Sequence, residues 1–349
     1  MWEKTRKNAD KLGVGIAGLG SIAETHAAAI AGSDFCYLAA GYHYRKEKAD
    51  EFAMRYSVSV YTDYDSFLDN PLVDFVIIAS TSSTHFDLAS RSIQKGKPVL
   101  IEKPICISSE ECDSLVNLSK KYNIPVGGIF NCRYYPAYQL VHKTVSERRL
   151  GRIVAATVSV PWFRSNEYYI GRSKSKDGGG VLMIQALHAI DLLLWFCGDV
   201  KEVSAYTDNL VHVSVDIEDT VAAVVRFTNG ALGTIIATTG IYHGYTQRIC
   251  LYGTEGSIAV EDHQITLWDL KNEEKGDYEF LKPFQMRDTV PDTDTSGIGI
   301  SSHRDNIDDF AYSIITGNPY MLKSEESSKA VYLVNAIYKS SEEKRTVHL

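Results

Sequence analysis

The residues best placed to do chemistry lie in one stretch, GGGVLMIQALHAIDLLLWFCG, from Gly178 to Gly198. An imidazole (His188) and a carboxylate (Asp191) stand three residues apart in an otherwise apolar run, and that pair can hold and move a proton. At about 3.6 residues per turn, a helix here puts Ile184, His188, Asp191 and Trp195 on one face. Gly198 supplies the C-terminal stop. Leu182, Leu187, Leu192, Leu193, Leu194 and Phe196 cover so much of the remaining surface that the helix must be largely buried. Buried polar groups need partners or a cavity. Either His188 and Asp191 satisfy each other in a core, or they face a site.

A second chemical signature stands near the amino terminus. The apolar run Leu12–Ala17 leads into Gly18-Leu19-Gly20-Ser21-Ile22-Ala23 and then an alanine-rich helical stretch. Strand, G-x-G-x-x-A and helix in that order is the context of a dinucleotide-binding turn. Gly18 allows the tight turn, Gly20 lets the backbone approach a pyrophosphate, and Ala23 permits close helix packing. The helix start offers free N–H groups and a partial positive charge, so Ser21 and Ile22 are expected at the phosphates. An acid that would hold an unphosphorylated ribose is expected about 20 residues on. The next strand, Cys36–Tyr42, instead ends in His43-Tyr44-Arg45-Lys46. Arg45 and Lys46 could meet a 2′-phosphate, which leans the cofactor towards NADP, or they could simply open the helix Lys46–Tyr56 on its solvent side.

Two further strand–helix units follow. Phe75–Ala79 precedes Ser80-Thr81-Ser82-Ser83-Thr84-His85 and a helix to about Lys95; Pro98–Ile101 precedes Glu102-Lys103-Pro104 and the helix Ser109–Tyr122. This alternation implies a doubly wound parallel sheet with ligands beyond the carboxyl ends of its strands. Lys103 stands at one such end. It is either a solvated loop charge or a cation beside the nicotinamide pocket.

From Gly151 the pattern changes to strands joined by tight turns. Val221–Phe227 and Ala231–Thr238 flank Thr228-Asn229-Gly230, a strong hairpin signal. Gln247–Tyr252, Ser257–Glu261 and Ile265–Trp268 add strands, giving a mostly antiparallel sheet. The fold class is therefore α/β, a doubly wound parallel sheet followed by a mostly antiparallel one. Both faces of Val221–Phe227 are apolar enough to need cover, so a homodimer or homotetramer is expected, with a monomer carrying extra covering loops as the alternative. Asp269–Ser302 reads as a polar surface excursion, and Asn306–Ile315 and Ser324–Lys339 as closing helices. Trp162-Phe163-Arg164 and Asn166-Glu167-Tyr168-Tyr169 mix aromatic and polar side chains. They suit a sugar ring, or equally a core or interface cluster.

With 349 residues the chain can bury two cores, and 44% hydrophobic with 23% charged residues is ordinary for a globular protein. A net charge of −8 speaks against a nucleic-acid partner. The six cysteines form no C-x-x-C pair, and no spacing suggests zinc or another metal. MWEKTRKNADK lacks the apolar run of a signal peptide, and Gln185, His188 and Asp191 interrupt the most apolar segment. A reduced, cytoplasmic protein without a membrane segment is expected.

These motifs in this order resemble the Gfo/Idh/MocA oxidoreductases. The resemblance runs over nearly the whole chain. It rests on Gly18-Leu-Gly20, the Asp74-Phe-Val-Ile-Ile strand with His85 downstream, and Gly96-Lys97-Pro98-Val99 before Glu102-Lys103-Pro104. Gly178-Gly-Gly180 ahead of His188-x-x-Asp191, Glu218-Asp219-Thr220 and Asn229-Gly230 complete it. The resemblance implies an amino-terminal Rossmann domain, taken over 1–130, and a carboxy-terminal substrate-binding and oligomerisation domain with a large open sheet over 131–349. It also implies a nicotinamide cofactor, a sugar, cyclitol or related polyol as substrate, and Lys103 and His188 as the catalytic pair. Asp191 matches the family's trailing aspartate, with a role in orientation or substrate hydroxyl binding. Two departures stand out: Ile184 occupies a position where many members carry Asp or Asn, and Ser80-Thr81-Ser82 replaces the common T-P-N loop.

The expected reaction is reversible oxidation of a secondary alcohol on a sugar-like ring. His188 takes the hydroxyl proton and the Lys103 ammonium holds the oxygen, roles that a lowered lysine pKa would exchange. His43, Arg45, Ser80, Ser82, His85, Glu102 and Lys103 join the glycine loop as expected cofactor contacts. Arg133, Trp162, Tyr168, Tyr169 and Ile184 are the expected substrate contacts. Two alternatives stay open: a lyase or glycosidase that uses bound NAD for transient oxidation, and a cofactor-sensing regulator without chemistry.

Overall fold

The computed structural model describes residues 11–272, 277, 281 and 299–349, which fall into two compact units. The first takes in described residues 11–106, 110–131 and 299–328; the second takes in 107–109, 132–272 and 329–349.

The first unit is a six-stranded parallel sheet in the order β3-β2-β1-β4-β5-β6. Its strands are β1 (Leu12–Ala17), β2 (Cys36–Tyr42), β3 (Ser59–Tyr61), β4 (Phe75–Ile78), β5 (Val99–Ile101) and β6 (Val126–Gly128). β1, β4 and β5 are buried along their whole length, as continuous apolar runs in a sheet covered on both faces require. Helices α1 (Ser21–Ala31), α2 (Lys46–Tyr56), α3 (Tyr64–Leu68), α4 (His85–Gln94) and α5 (Ser109–Tyr122) supply the crossovers. The short β3, α3 and β6 carry too little periodicity to be read from sequence.

A single cut near residue 130 does not describe this unit, because 299–328 returns to it. The helix Ile300–Thr316 lays Phe310 against Phe75 of β4 at 5.5 Å between ring centroids, and the Tyr320 hydroxyl donates to the Gly128 carbonyl of β6 at 3.0 Å. Both residues are buried apolar anchors whose partners lie far back in the chain. The expected polar excursion over Asp269–Ser302 lies largely outside the described residues, as does the amino-terminal MWEKTRKNAD.

The second unit is an eight-stranded sheet in the order β13-β12-β11-β7-β10-β9-β8-β14. The strands are β7 (Ile153–Pro161), β8 (Val200–Asp208), β9 (Thr220–Phe227), β10 (Leu232–Thr238), β11 (Arg248–Gly253), β12 (Gly256–Glu261), β13 (Gln264–Leu270) and β14 (Val347–His348). Only the β7–β10 pair is parallel. The Asn229-Gly230 hairpin forms, with Gly230 at φ +90° and β9 paired antiparallel to β10. On β9 the alternation is complete: Val221, Ala223, Val225 and Phe227 are buried, while Ala222, Val224 and Arg226 are exposed.

The glycine-led helix belongs to this unit. A helical run over Lys174–Cys197 is long and apolar enough to cross a bilayer, but 83% of its most apolar window is buried inside the fold, where that character serves the core. It is not a uniform α-helix. Leu182–Ala186 forms a π-helical turn, and α-helical geometry resumes at Leu187–Cys197.

Candidate active site

In the first unit, the glycine loop is held at the mouth of β1. Gly18 has φ +99°, and its N–H donates to the Tyr42 carbonyl at the end of β2 (2.9 Å). A Cβ on Gly18 would lie 2.5 Å from the Ser80 backbone nitrogen, so only glycine fits. At Gly20 the opposite holds: nothing lies within 4 Å of the direction a Cβ would take. Gly20 opens α1 with no side-chain cap, which leaves the first N–H groups for a ligand's phosphates.

Beside this loop is a cavity of about 580 Å³ lined by Gly20, Ser21, His43, Tyr44, Arg45 and Thr81, among others. The Tyr44 ring stacks on His43 with 4.8 Å between centroids, and the Arg45 guanidinium lies 5.2 Å from the Tyr44 ring centre. The other cations of this wall are engaged with carboxylates: Lys48 with Glu51 at 2.8 Å, and Arg55 with Glu24. Arg45 has no carboxylate partner among the described residues. An open glycine, uncapped helix N–H groups and an aromatic–cationic wall fit a dinucleotide. Ser21 and Ile22 start the helix as expected.

Three expected cofactor contacts have partners within the protein. His85 is 1% exposed, its ring held between the carbonyls of Pro104 (2.8 Å) and Ser80 (3.1 Å), and burial holds its pKa down. Ser80 spends its hydroxyl on Thr84 (2.7 Å), so His85 and Ser80 fix the loop that carries Ser82. Glu102 is buried: its Oε1 accepts from His26 Nε2 (2.9 Å) and its Oε2 from the Lys103 backbone N–H (3.0 Å). His303 Nε2 stands 4.0 Å from the same Oε1. Burial pushes the Glu102 carboxyl up, but the His26 hydrogen bond and the surrounding positive charge outweigh it and bring it down to about 2. A carboxylate is thus locked beneath the half-buried Lys103. His26 and His303 were not legible as its partners, since both are ordinary helix residues in the sequence.

In the second unit, the glycine triplet makes room for Glu218. Its carboxylate accepts from the N–H of Gly180 (2.7 Å) and Leu182 (3.0 Å), and its backbone carbonyl from Val181 (2.9 Å). These satisfy donors that the first helical turn leaves open. Tyr338 also donates to Glu218 Oε1 at 2.8 Å. A Cβ on Gly180 would fall 1.8 Å from the Glu218 carbonyl oxygen. The π-helical turn follows at once, and such turns recur at functional sites.

Downstream, Ile184, His188 and Trp195 form a half-buried stripe on an otherwise interior helix, with the Trp195 ring stacked on His142 at 4.0 Å. Asp191, expected on the same face, does not join it. It is 1% exposed and forms a two-point ion pair with Arg133, Nε to Oδ2 at 2.8 Å and Nη2 to Oδ1 at 2.6 Å. Arg133, itself 1% exposed, lies 5.1 Å from the Trp195 ring centre. The pair therefore ties the residues around Arg133 to this helix.

The aromatic segment also divides. Tyr169 is 1% exposed, with its hydroxyl on Thr239 Oγ1 at 2.6 Å, and belongs to the core rather than to a sugar site. Trp162 and Tyr168 flank the Arg164 guanidinium, at 5.2 and 5.4 Å from their ring centres. Arg164 and Gln185, which join this segment to the helix, were not singled out from the sequence.

Fold and site define a nicotinamide-dependent oxidoreductase. Residues 12–127 match the model of an oxidoreductase family with an NAD-binding Rossmann fold, and residues 138–259 match the GFO/IDH/MocA C-terminal domain. The chain belongs to the Gfo/Idh/MocA family. It is 26% identical to myo-inositol 2-dehydrogenase of Thermotoga maritima over 350 residues, covering 96% of this chain and 98% of the relative. It is 31% identical to levoglucosan dehydrogenase of Pseudarthrobacter phenanthrenivorans over 284 residues, covering 71% and 73%. Among solved structures, the WlbA dehydrogenase from Bordetella pertussis, in complex with NADH and UDP-GlcNAcA, superposes with a TM-score of 0.87 at 25% identity, covering 97% of this chain and 99% of that one. These relatives are dehydrogenases, which does not favour the lyase or the regulator.

Proposed function

We propose that this protein oxidises, reversibly, a secondary alcohol of a sugar, cyclitol or sugar derivative, with His188 as general base and Lys103 as the cation that steadies the reacting oxygen. The observation that carries the reading is the half-buried position of His188, an imidazole on a helix whose remaining side chains are almost all interior. Bound nicotinamide supplies the hydride acceptor. His188 takes the hydroxyl proton, a task suited to an imidazole, and passes it to solvent. The Lys103 ammonium stabilises negative charge on the oxygen as the proton leaves. Glu102, His26 and His303 keep the Lys103 backbone in place, while Arg133 and Asp191 fix the helix that presents His188. Ile184, one turn earlier, gives the site an apolar wall, and Trp162 and Tyr168 offer faces for a ring.

Arg45, with no carboxylate partner beside the cofactor cavity, supports a preference for NADP. A homodimer or homotetramer joined through the open sheet face is supported by Tyr206, Val224, Leu232, Ile236 and Tyr252, all exposed on β8 to β11. Six cysteines outside any disulfide suit a reducing cytoplasm. Nothing in this reading calls for nucleic acid or a membrane.

The test is nicotinamide absorbance on mixing the protein with NAD or NADP and pools of cyclitols, aldoses, aldonic acids and nucleotide sugars. The absorbance should rise with one pool. His188→Ala and Lys103→Ala should each lose most turnover and still bind cofactor; unimpaired turnover in both would overturn the assignment.

A further inference from the structure

Although the chain carries a net charge of −8, Trp162 to Asp177 holds four cations (Arg164, Arg172, Lys174, Lys176) against two carboxylates, Glu167 and Asp177. Asp177 faces Arg172 at 3.4 Å. Arg164 has no carboxylate partner among the described residues. Its Nη1 donates to its neighbour's carbonyl, Phe163 O, at 2.8 Å, and its Nη2 to Gln185 Oε1 at 3.2 Å. Two of the five N–H donors of a guanidinium are thereby used.

This cation is held in place from several sides. Trp162 and Tyr168 lie against its charge, and Tyr168 in turn takes a hydrogen bond from the Gln185 side-chain amide. The backbone is fixed as well, with the N–H groups of Trp162 and Arg164 donating to the carbonyls of Thr238 and Thr239, both at 2.9 Å. Gln185 is 7% exposed and lies in the π-helical turn, between Ile184 and His188. A rise of about 1.5 Å per residue puts it about 5 Å along the axis from His188, within the span of one sugar ring. A half-buried guanidinium, ordered by rings and an amide but given no anion by the protein, is arranged for an anion from a ligand.

We infer that Arg164 receives an anionic group of the substrate, so that the preferred substrate is a sugar acid or sugar phosphate rather than its neutral parent. The planar fork favours a carboxylate or phosphate bound through two oxygens, and the flanking rings exclude water from the pair. The inference rests on the dehydrogenase reading for its catalytic test, but anion binding can be measured without turnover.

Matched probes decide it: D-glucose, D-gluconate, D-glucuronate and D-glucose 6-phosphate, with further aldoses and their acids and phosphates. Wild-type protein should show a higher kcat/KM for a carboxylated or phosphorylated probe than for its parent; which anion wins identifies the source. Arg164→Gln should cut the ratio of the two kcat/KM values by about tenfold to hundredfold, the worth of a charge-assisted hydrogen bond. Arg164→Lys, which keeps charge without the fork, should fall between. Equal use of acidic and neutral probes by wild type overturns the inference and leaves the dehydrogenase reading standing. An equal loss on both probe types in Arg164→Gln overturns it too. Should no probe be turned over, calorimetric titration of the same anions into the protein with oxidised cofactor takes over. Binding that Arg164→Gln abolishes supports the anion site while the dehydrogenase reading fails, and no binding sinks the anion site.

Discussion

Arg133 and Asp191 meet through two hydrogen bonds of 2.8 and 2.6 Å, although they lie 58 residues apart in sequence and are each 1% exposed. The pair ties the segment around residue 133 to the helix that carries His188. Removing one partner leaves a buried charge without compensation, at a cost of about 3–5 kcal/mol. Asp191→Ala should therefore lower the unfolding free energy obtained from urea titration by an amount in that range, while Arg133→Met with Asp191→Leu recovers much of the loss. A single variant as stable as wild type would remove the pair from the account of the helix.

The glycine turn gives a sharper test. Gly180→Ala places a Cβ 1.8 Å from the Glu218 carbonyl oxygen and 2.8 Å from its carboxylate. Neither can withdraw without breaking the cap on Gly180 and Leu182. Overpacking of about 1–3 kcal/mol adds to lost capping of about 1 kcal/mol. The expected result is a lower melting temperature, with turnover falling more than cofactor affinity, because the damage sits at the helix of His188.

Glu102 predicts a particular acid response. Its folded pKa, about 2, lies below the ordinary 4.5. The stabilisation is thus fully present above pH 4.5 and is lost as pH falls towards 2. At about 1.4 kcal/mol per unit, up to about 3 kcal/mol is at stake. Denaturant titrations should show this loss between pH 5 and 2 in wild type, and a flatter dependence in Glu102→Gln. Parallel curves would mean that the carboxylate is no more stable in the fold than in the unfolded chain.

Arg45 should decide the cofactor. Arg45→Ser is expected to raise KM for NADP by about tenfold to hundredfold, the loss of a charge-assisted contact, and to change KM for NAD far less. Equal effects on the two cofactors would take Arg45 away from the 2′-phosphate.

The sheet face is open to a solution test. Val224 and Ile236 are 55% and 51% exposed on neighbouring strands. Val224→Arg with Ile236→Glu should reduce the mass measured by light scattering from an oligomer to a monomer. A wild-type monomer would end the proposal.

By itself the sequence determined the elements whose causes are local. The turn at Gly18 and Gly20, the βα alternation to Tyr122, the Asn229-Gly230 hairpin and the helix after Gly180 follow from periodicity and glycine placement among near neighbours. It also marked His188 and Lys103, because a polar residue in an apolar run, or at a strand's carboxyl end, stands out. Tertiary structure alone decided which polar groups face inward. Periodicity put Asp191 beside His188, but the match to Arg133 turned it into the core. Likewise Glu218 caps a helix 38 residues before it, His26 finds Glu102 across 76 residues, and 299–328 returns to the first sheet. Such choices are set by which buried charges and rings can be satisfied together, a condition on the packed chain that no window of sequence contains.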